Sequence, residues 1–201
     1  MTYLDELTRR IQQRVSTLPQ GLRAHVYRAR DIAIELALKH SVDPQCAALG
    51  ALAHDVCRAM PSRELISHAT RLGLPIGLVE RPVPVLLHGP VGAELLRQGD
   101  GLSDQSLYQA VYWHTTAHPS LDSLGKVVFL ADKLDPLKIK YYPYQPYLQE
   151  LAFVDLDRAM LEFLSRELIS LTSQGQMVHP AMVEARNALL VSSISAKAPV
   201  Q

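Results

Sequence analysis

Residues 50–60 read GALAHDVCRAM, and within them His54 and Asp55 interrupt a run of apolar and small side chains. Such a run is typical of a helix that packs into the core. Burying two titratable groups there is unfavourable unless each finds a partner. The stretch therefore predicts a helical core in which these two side chains are paired or hold a ligand.

Helical periodicity extends from this stretch over almost the whole chain. Leu4, Leu7 and Ile11 share one face of residues 3–16, and small or aliphatic residues recur in the same way over 22–39. No strand pattern competes with it. The sequence predicts an all-α fold, a helical bundle of eight or nine helices.

Three of these helices have predicted bounds that can be tested. The helix that carries the histidine–aspartate pair is expected to run to about residue 58. The last two helices are expected over about residues 148–173 and 180–194.

Length and composition favour one ordinary globular domain. The 201 residues suggest a single domain over 1–196 and a frayed tail over 197–201. Twenty basic and twenty acidic residues cancel, so the composition indicates neither a nucleic-acid partner nor a membrane surface. No apolar stretch is long enough to span a membrane. The two cysteines are expected to be free thiols in a reducing cytoplasm.

Further polar residues interrupt apolar helical faces in the same manner. Any one histidine of this kind is usually a satisfied core residue, and a lone aspartate is usually a cap or an ion-pair partner. Six such residues in one small domain are better explained together, as ligands of metal ions. A cation offsets the cost of burying carboxylates. The candidate ligands are His25, His54, Asp55, His88, His114 and Asp132.

The order of these residues resembles the HD-domain metal-dependent phosphohydrolase superfamily. The segments HVYRARDIAIELA, AALGALAHDVCR, LLHGPVGAELL and YWHTTAHPSLDSLGKVVFLADKLDP are similar to its YqeK-type branch, the bacterial symmetrical diadenosine tetraphosphate hydrolases. The resemblance covers roughly residues 20–165. It implies hydrolysis of diadenosine tetraphosphate to two ADP by a hydroxide held between metal ions.

The resemblance also implies a ligand scheme for two metal ions. One ion would be held by His25, His54, Asp55 and Asp132. Asp55 would bridge to a second ion that His88 and His114 also hold, which makes Asp55 catalytic. The resemblance favours iron, whereas the ligand types also accept Mn, Zn or Mg.

Phosphates need positive charge and hydrogen-bond donors around them. Arg58, three residues after Asp55, would lie on the same face of a continuing helix, although a solvated helix end is the alternative. Lys133 and Lys138 are further candidates. Thr115 and Thr116 could bind phosphate or cap a turn. His118 is a partial substitute for a phosphate ligand, a general acid or a loop residue.

Three of these positions depart from the family pattern. Arg58 stands where the family usually has lysine, Ala117 and His118 stand for Gly-Arg, and Lys138 stands for arginine. Arginine grips phosphate through two bonds, and lysine is a point charge. The departures leave the metal ligands intact and the substrate open.

Three functions therefore compete at this level. The first is a dinuclear hydrolase of dinucleoside polyphosphates, and the second is an HD-type phosphatase or phosphodiesterase acting on a mononucleotide or a cyclic nucleotide. The third is a protein that binds a nucleotide without turnover. In each case the expected partner is a nucleotide, with neither nucleic acid nor membrane, and the chain is a monomer or a homodimer.

Overall fold

The computed structural model describes residues 2–195, and these form ten α-helices and no β-strand. This confirms the all-α prediction. Two short 3₁₀ turns, Pro84–Leu87 and Pro136–Lys138, connect helices near the centre of the chain. The helices are α1 (Tyr3–Ser16), α2 (Gln20–Lys39), α3 (Pro44–Ala53), α4 (Ser62–Arg71), α5 (His88–Asp100), α6 (Gln105–Trp113), α7 (Ser123–Lys133), α8 (Gln145–Ala152), α9 (Leu156–Ser173) and α10 (Pro180–Ser195).

Helices α2, α3, α6 and α7 pack against one another at the centre of the bundle. Their contact is close because small residues line it. At Gly50 in α3, an added Cβ would stand 2.8 Å from Val128 Cγ2 of α7. Apolar side chains of all four helices fill the main core together with Leu7 and Ile11 of α1. These central helices also carry most of the polar residues described below.

The helix count exceeds the expected eight or nine because one predicted helix is two. The chain is extended at Asp155, where φ is −154°, and the Asp155 carboxylate accepts hydrogen bonds from the backbone N–H groups of Asp157 and Arg158. This N-cap begins α9 and separates it from α8. An aspartate inside a periodic helical pattern gave no clear signal of that break.

Helix α3 ends at Ala53, so the prediction that it continues to residue 58 is wrong. The His54 ring lies with Nδ1 2.6 Å from the Ala51 carbonyl oxygen, and the following residues form a turn in which Arg58 N–H donates to the Asp55 carbonyl. A side chain that bonds the backbone locally competes with helix propagation. The turn leaves His54 and Asp55 buried and Arg58 exposed.

None of the helices in residues 2–195 combines the length and the apolar character that crossing a membrane requires. The predicted tail, 197–201, lies outside the described residues.

Candidate metal centre

Six side chains from five helices converge at the centre of the bundle. His25 comes from α2, His54 and Asp55 follow α3, and His88 begins α5. The remaining two come from the C-terminal ends of α6 and α7. All six are between 1% and 8% exposed: His25, His54, Asp55, His88, His114 and Asp132. The structure thus brings together the whole set that the sequence singled out.

The Asp55 carboxylate lies between two pairs of imidazoles. Its Oδ2 is 3.4 Å from His54 Nε2 and 3.7 Å from His25 Nε2. Its Oδ1 is 3.0 Å from His88 Nε2 and 3.5 Å from His114 Nε2. Two triads that could each hold a metal ion, one on either side, therefore share this carboxylate.

Asp132 completes the first of these groups. Its Oδ1 lies 3.0 Å from His25 Nε2 and 3.6 Å from His54 Nε2. The carboxylates of Asp55 and Asp132 therefore flank the same two imidazoles from different helices.

Backbone carbonyls fix the orientation of three of the histidines. In each, Nδ1 faces the carbonyl oxygen three residues earlier: Ala51 for His54, Val85 for His88 and Val111 for His114. An imidazole that donates through Nδ1–H keeps a lone pair on Nε2, which is the form that binds a metal. The local fold thus aims three Nε2 lone pairs at one space.

His25 is oriented by a carboxylate instead. Its Nδ1 lies 2.5 Å from Asp135 Oδ2, and Arg28 donates two hydrogen bonds to the same carboxylate at 2.7 and 2.8 Å. Burial favours the neutral acid, but the His25 and Arg28 hydrogen bonds hold the pKa of Asp135 well below its usual range. Asp135 and Arg28 were missed from sequence because each resembles an ordinary helix-end or surface residue.

The centre is suited to bind a cation. Some of its buried acceptor atoms have no partner among the residues that the structure describes. His25 Nε2 and His54 Nε2 are buried and make no hydrogen bond within residues 2–195. His88 Nε2 and His114 Nε2 lie 2.8 Å apart, although both Nδ1 atoms face carbonyl oxygens. Lone pairs and carboxylates directed at one space repel unless a positive charge lies between them. The donor set of imidazole nitrogens and carboxylate oxygens therefore fits divalent metal ions.

The pKa values of two histidines at the centre also favour a bound cation. Burial would lower the pKa of His54, but Asp55 and Asp132 raise it to about 10. Burial lowers the pKa of His114 to about 4, which keeps that ring neutral. The carboxylates around His54 thus attract positive charge, whereas His114 stays neutral, which is the form that binds a metal.

Gly89 allows the imidazoles of His88 and His114 to lie close to each other. A Cβ on Gly89 would stand 2.7 Å from the Tyr112 carbonyl oxygen and 3.2 Å from His114 Cε1. Any larger residue there would push α5 away from the end of α6. Gly89 therefore sets the separation of His88 and His114.

Two of the phosphate candidates pair with a ligand carboxylate. Lys133 is buried, and its Nζ lies 2.6 Å from Asp132 Oδ2 and 3.3 Å from the His114 carbonyl oxygen. Lys138 Nζ pairs with Asp132 Oδ1, the oxygen that faces His25. Both ammonium groups therefore border the centre.

The other phosphate candidates lie in different surroundings. Thr115 Oγ1 is 3.1 Å from His114 Nε2, so this hydroxyl borders the centre. The Thr116 hydroxyl donates to the Ala117 carbonyl. The His118 ring stacks on Trp113 and contacts Ser120, in a separate depression near α10. The structural reason for choosing Arg58, a continuing helix, does not hold.

A cleft of about 620 Å³ opens beside the centre. Thr115, Thr116 and Lys133 line the end next to the imidazoles. The walls are mostly apolar and come from the loop before α5, from α9, from the loop after α9 and from the start of α10: Val79, Pro82, Val83, Leu86, Phe163, Leu171, Met177 and Met182. His179, which lines the cleft, lies with Nε2 2.8 Å from Glu80 Oε1 of the loop before α5. Sequence reasoning had not associated His179 with the site.

Comparison with known proteins agrees with this geometry. The family model of the HD domain matches residues 22–137. A Bacillus subtilis protein named symmetrical bis(5'-nucleosyl)-tetraphosphatase is 30% identical over 78% of this chain and 82% of its own length. A protein of the same name from Halalkalibacterium halodurans is 29% identical over 83% and 88%.

A solved structure extends the similarity to the whole bundle. It is the crystal structure of a predicted HD superfamily hydrolase involved in NAD metabolism, from Clostridium acetobutylicum. It is 26% identical to this chain, covers 96% of it and 99% of its own chain, and has a TM-score of 0.85. With the family model matching more than half of the sequence and a histidine–aspartate centre of the corresponding chemistry at its heart, the chain belongs to the HD domain family and is a metal-dependent hydrolase.

Proposed function

We propose that this enzyme hydrolyses diadenosine tetraphosphate symmetrically, releasing two ADP. The names of the relatives from two bacteria, which match over most of their length, support this substrate. The observation that carries the proposal is the Asp55 carboxylate, whose two oxygens face two separate imidazole pairs. A carboxylate placed in this way could hold two metal ions side by side, the arrangement that two-metal phosphate hydrolysis uses.

The proposed ligand scheme follows the distances around Asp55. His25, His54, Asp55 and Asp132 would hold one ion. Asp55, His88 and His114 would hold the other. Bound ions would supply an activated water and would neutralise charge on the phosphate under attack.

The chain's own residues prepare the centre for that chemistry. The backbone carbonyls behind His54, His88 and His114 and the carboxylate of Asp135 behind His25 keep every Nε2 aimed inward. Burial excludes bulk water from the ligands, which strengthens each electrostatic contact. The protein thereby holds its ligands in place before substrate arrives.

The cleft supports the choice of a nucleotide substrate. Lys133 and Thr115, at the end beside the centre, would contact phosphate, and the apolar walls would take a nucleoside. Thr116, which lines the cleft, and Lys138 remain candidate phosphate contacts of this proposal. Arg58 and His118 do not line the cleft and are the weaker candidates. Lys138 would contact phosphate by exchanging its pairing with Asp132.

The proposal also names a metal, a domain and a location. We take iron as the metal, with Mn, Zn and Mg as the alternatives that the ligand types accept. We take residues 1–196 as one domain, and the main core, which contains residues from Leu7 to Ala185, supports this. The chain would act as a monomer or a homodimer in the cytoplasm, where its two free cysteines stay reduced.

Incubation of the metal-loaded enzyme with diadenosine tetraphosphate, followed by chromatography of the products, tests the proposal. ADP as the sole product is the expected result. AMP with ATP would contradict the symmetrical mode. Turnover of mononucleotides or cyclic nucleotides alone, or nucleotide binding without turnover, would contradict the substrate.

A further inference from the structure

Helix α9 turns one stripe of side chains toward the cleft. Phe163, Glu167 and Leu171 are spaced four residues apart and all three line it. Residues at this spacing lie on one face of a helix, about 6 Å apart along its axis. The middle position is thus a carboxylate between two apolar residues, and it interrupts an apolar pattern as His54 and Asp55 do after α3.

Glu167 has no partner of its own among the residues that the structure describes. Within residues 2–195 its side chain forms neither an ion pair nor a hydrogen bond, although it is partly buried. Lys133, the lysine that lines the same cleft, pairs instead with Asp132 at 2.6 Å. Burial raises the pKa of Glu167, and the positive charge of Lys133 only partly offsets this. A carboxyl group in apolar surroundings is unfavourable until a ligand donates hydrogen bonds to it.

The required donors do not belong to the phosphates. A polyphosphate at the Lys133 end of the cleft is an anion, and a nearby carboxylate repels it. Lys133 Nζ lies 5.8 Å from the centre of the Phe163 ring, and Glu167 follows one helical turn later. Beyond the phosphates, the donors that a nucleotide offers are its ribose hydroxyls and the N–H groups of its base, and only the base groups differ between one purine nucleotide and another.

On the basis of the proposed function, we propose that Glu167 is a specificity-determining residue whose carboxylate accepts hydrogen bonds from the edge of the purine base in the cleft. The edge of guanine presents N1–H and N2–H side by side, and a carboxylate accepts both. The edge of adenine presents one N6–H donor beside the acceptor N1. The carboxylate therefore favours guanine, and an amide in its place would suit adenine better.

The test compares two substrates in the wild-type enzyme and in two variants. Diadenosine tetraphosphate and diguanosine tetraphosphate are assayed with the metal-loaded wild type, Glu167→Gln and Glu162→Gln. The last variant is the control, because Glu162 lies on the same helix but pairs with Arg166 at 2.6 Å outside the cleft lining. We expect Glu167→Gln to lower the guanine-to-adenine ratio of kcat/KM at least about tenfold, mainly through KM. Glu162→Gln should leave the ratio unchanged.

The outcomes separate this inference from the function on which it rests. Wild type that cleaves neither compound refutes the proposed function. Wild type that cleaves them, with a ratio that Glu167→Gln leaves unchanged, overturns the role of Glu167 alone. Should the glutamine variant not fold, Glu167→Asp replaces it. That variant should lower the guanine-to-adenine ratio of kcat/KM severalfold, because the shorter side chain reaches the base less well, and an unchanged ratio would overturn the inference.

Discussion

The metal centre and the cleft beside it lie within one bundle, yet they are built in opposite ways. In the centre, helices α2, α3, α5, α6 and α7 supply polar groups whose orientation is fixed by carbonyls and carboxylates. The cleft has mostly apolar walls drawn from a loop, α9 and the start of α10. The difference suggests that the core helices set the chemistry and that the outer walls select the substrate.

The largest expected effect is the loss of the shared ligand. Asp55→Ala removes the carboxylate that faces both imidazole pairs, so we expect metal affinity to collapse and kcat/KM to fall at least about a thousandfold. Metal titration and steady-state kinetics measure the two effects. Asp31→Ala, at an exposed aspartate of α2, is the control. Metal affinity close to that of wild type would refute the bridging role.

Removal of the carboxylate behind His25 should have a smaller effect. Asp135→Asn keeps the shape but weakens the orientation of the ring, and we expect metal affinity to fall roughly 10–100-fold. Arg28→Lys keeps the charge but loses the two-bond contact with Asp135. Its metal affinity should lie between those of wild type and Asp135→Asn. Unchanged metal affinity in Asp135→Asn would show that the centre does not depend on this support.

A substitution in the wall of the cleft is expected to change substrate affinity and to leave metal binding unchanged. Leu171→Ala removes an apolar wall residue, so KM for diadenosine tetraphosphate should rise about tenfold with metal content unchanged. Ile169→Ala, on the same helix and 67% exposed, is the matched control. A loss of metal in Leu171→Ala would mean that the two regions are not separable.

Metal removal should make stability sensitive to alkaline pH. In the metal-free protein the pKa of His54 is raised to about 10, so its stabilising effect is complete below about 6.5 and is lost as pH rises toward 10. We expect the melting temperature of protein freed of metal by a chelator to fall by roughly 5 °C or more across that range. Metal-loaded protein should show little of this decrease. Identical alkaline profiles would contradict the account.

At the acid end His114 acts with the opposite sign. Its folded pKa of about 4 lies below the unfolded value, so chelated protein should also lose stability as pH falls from about 6.5 to 4. Stability of the metal-free protein is therefore expected to be highest near pH 6.5, where the two windows meet.

The smallest effect is expected at the edge of the site. Arg58 is exposed, so Arg58→Ala should reduce kcat/KM for a polyphosphate only severalfold and leave metal content unchanged. Kinetics at low and high ionic strength measure this, because an exposed charge acts less at high salt. A loss of metal would show that Arg58 supports the centre instead.

The sequence reveals the ligands of the centre because they break a pattern. A histidine or an aspartate on an apolar helical face is visible without coordinates, which is how the six candidates were found. Asp135 and Arg28 break no such pattern, since a charged residue at a helix end is ordinary. Glu167 does interrupt an apolar stripe, but nothing in the sequence shows that the stripe faces a cleft.

Helix boundaries show the same limit. The end of α3 depends on a bond between the His54 ring and a carbonyl, and the start of α9 depends on the Asp155 side chain. Both are local side-chain contacts that do not alter hydrophobic periodicity. The loop before α5 has no periodicity at all, so its place in the wall of the cleft follows only from the packed structure.

The most direct test of the account is an anomalous-scattering map from crystals of the enzyme purified without chelators. We predict two peaks on opposite sides of the Asp55 carboxylate, one beside His25, His54 and Asp132 and one beside His88 and His114. A single peak that does not contact Asp55, or no peak among these residues after metal is added, would contradict it.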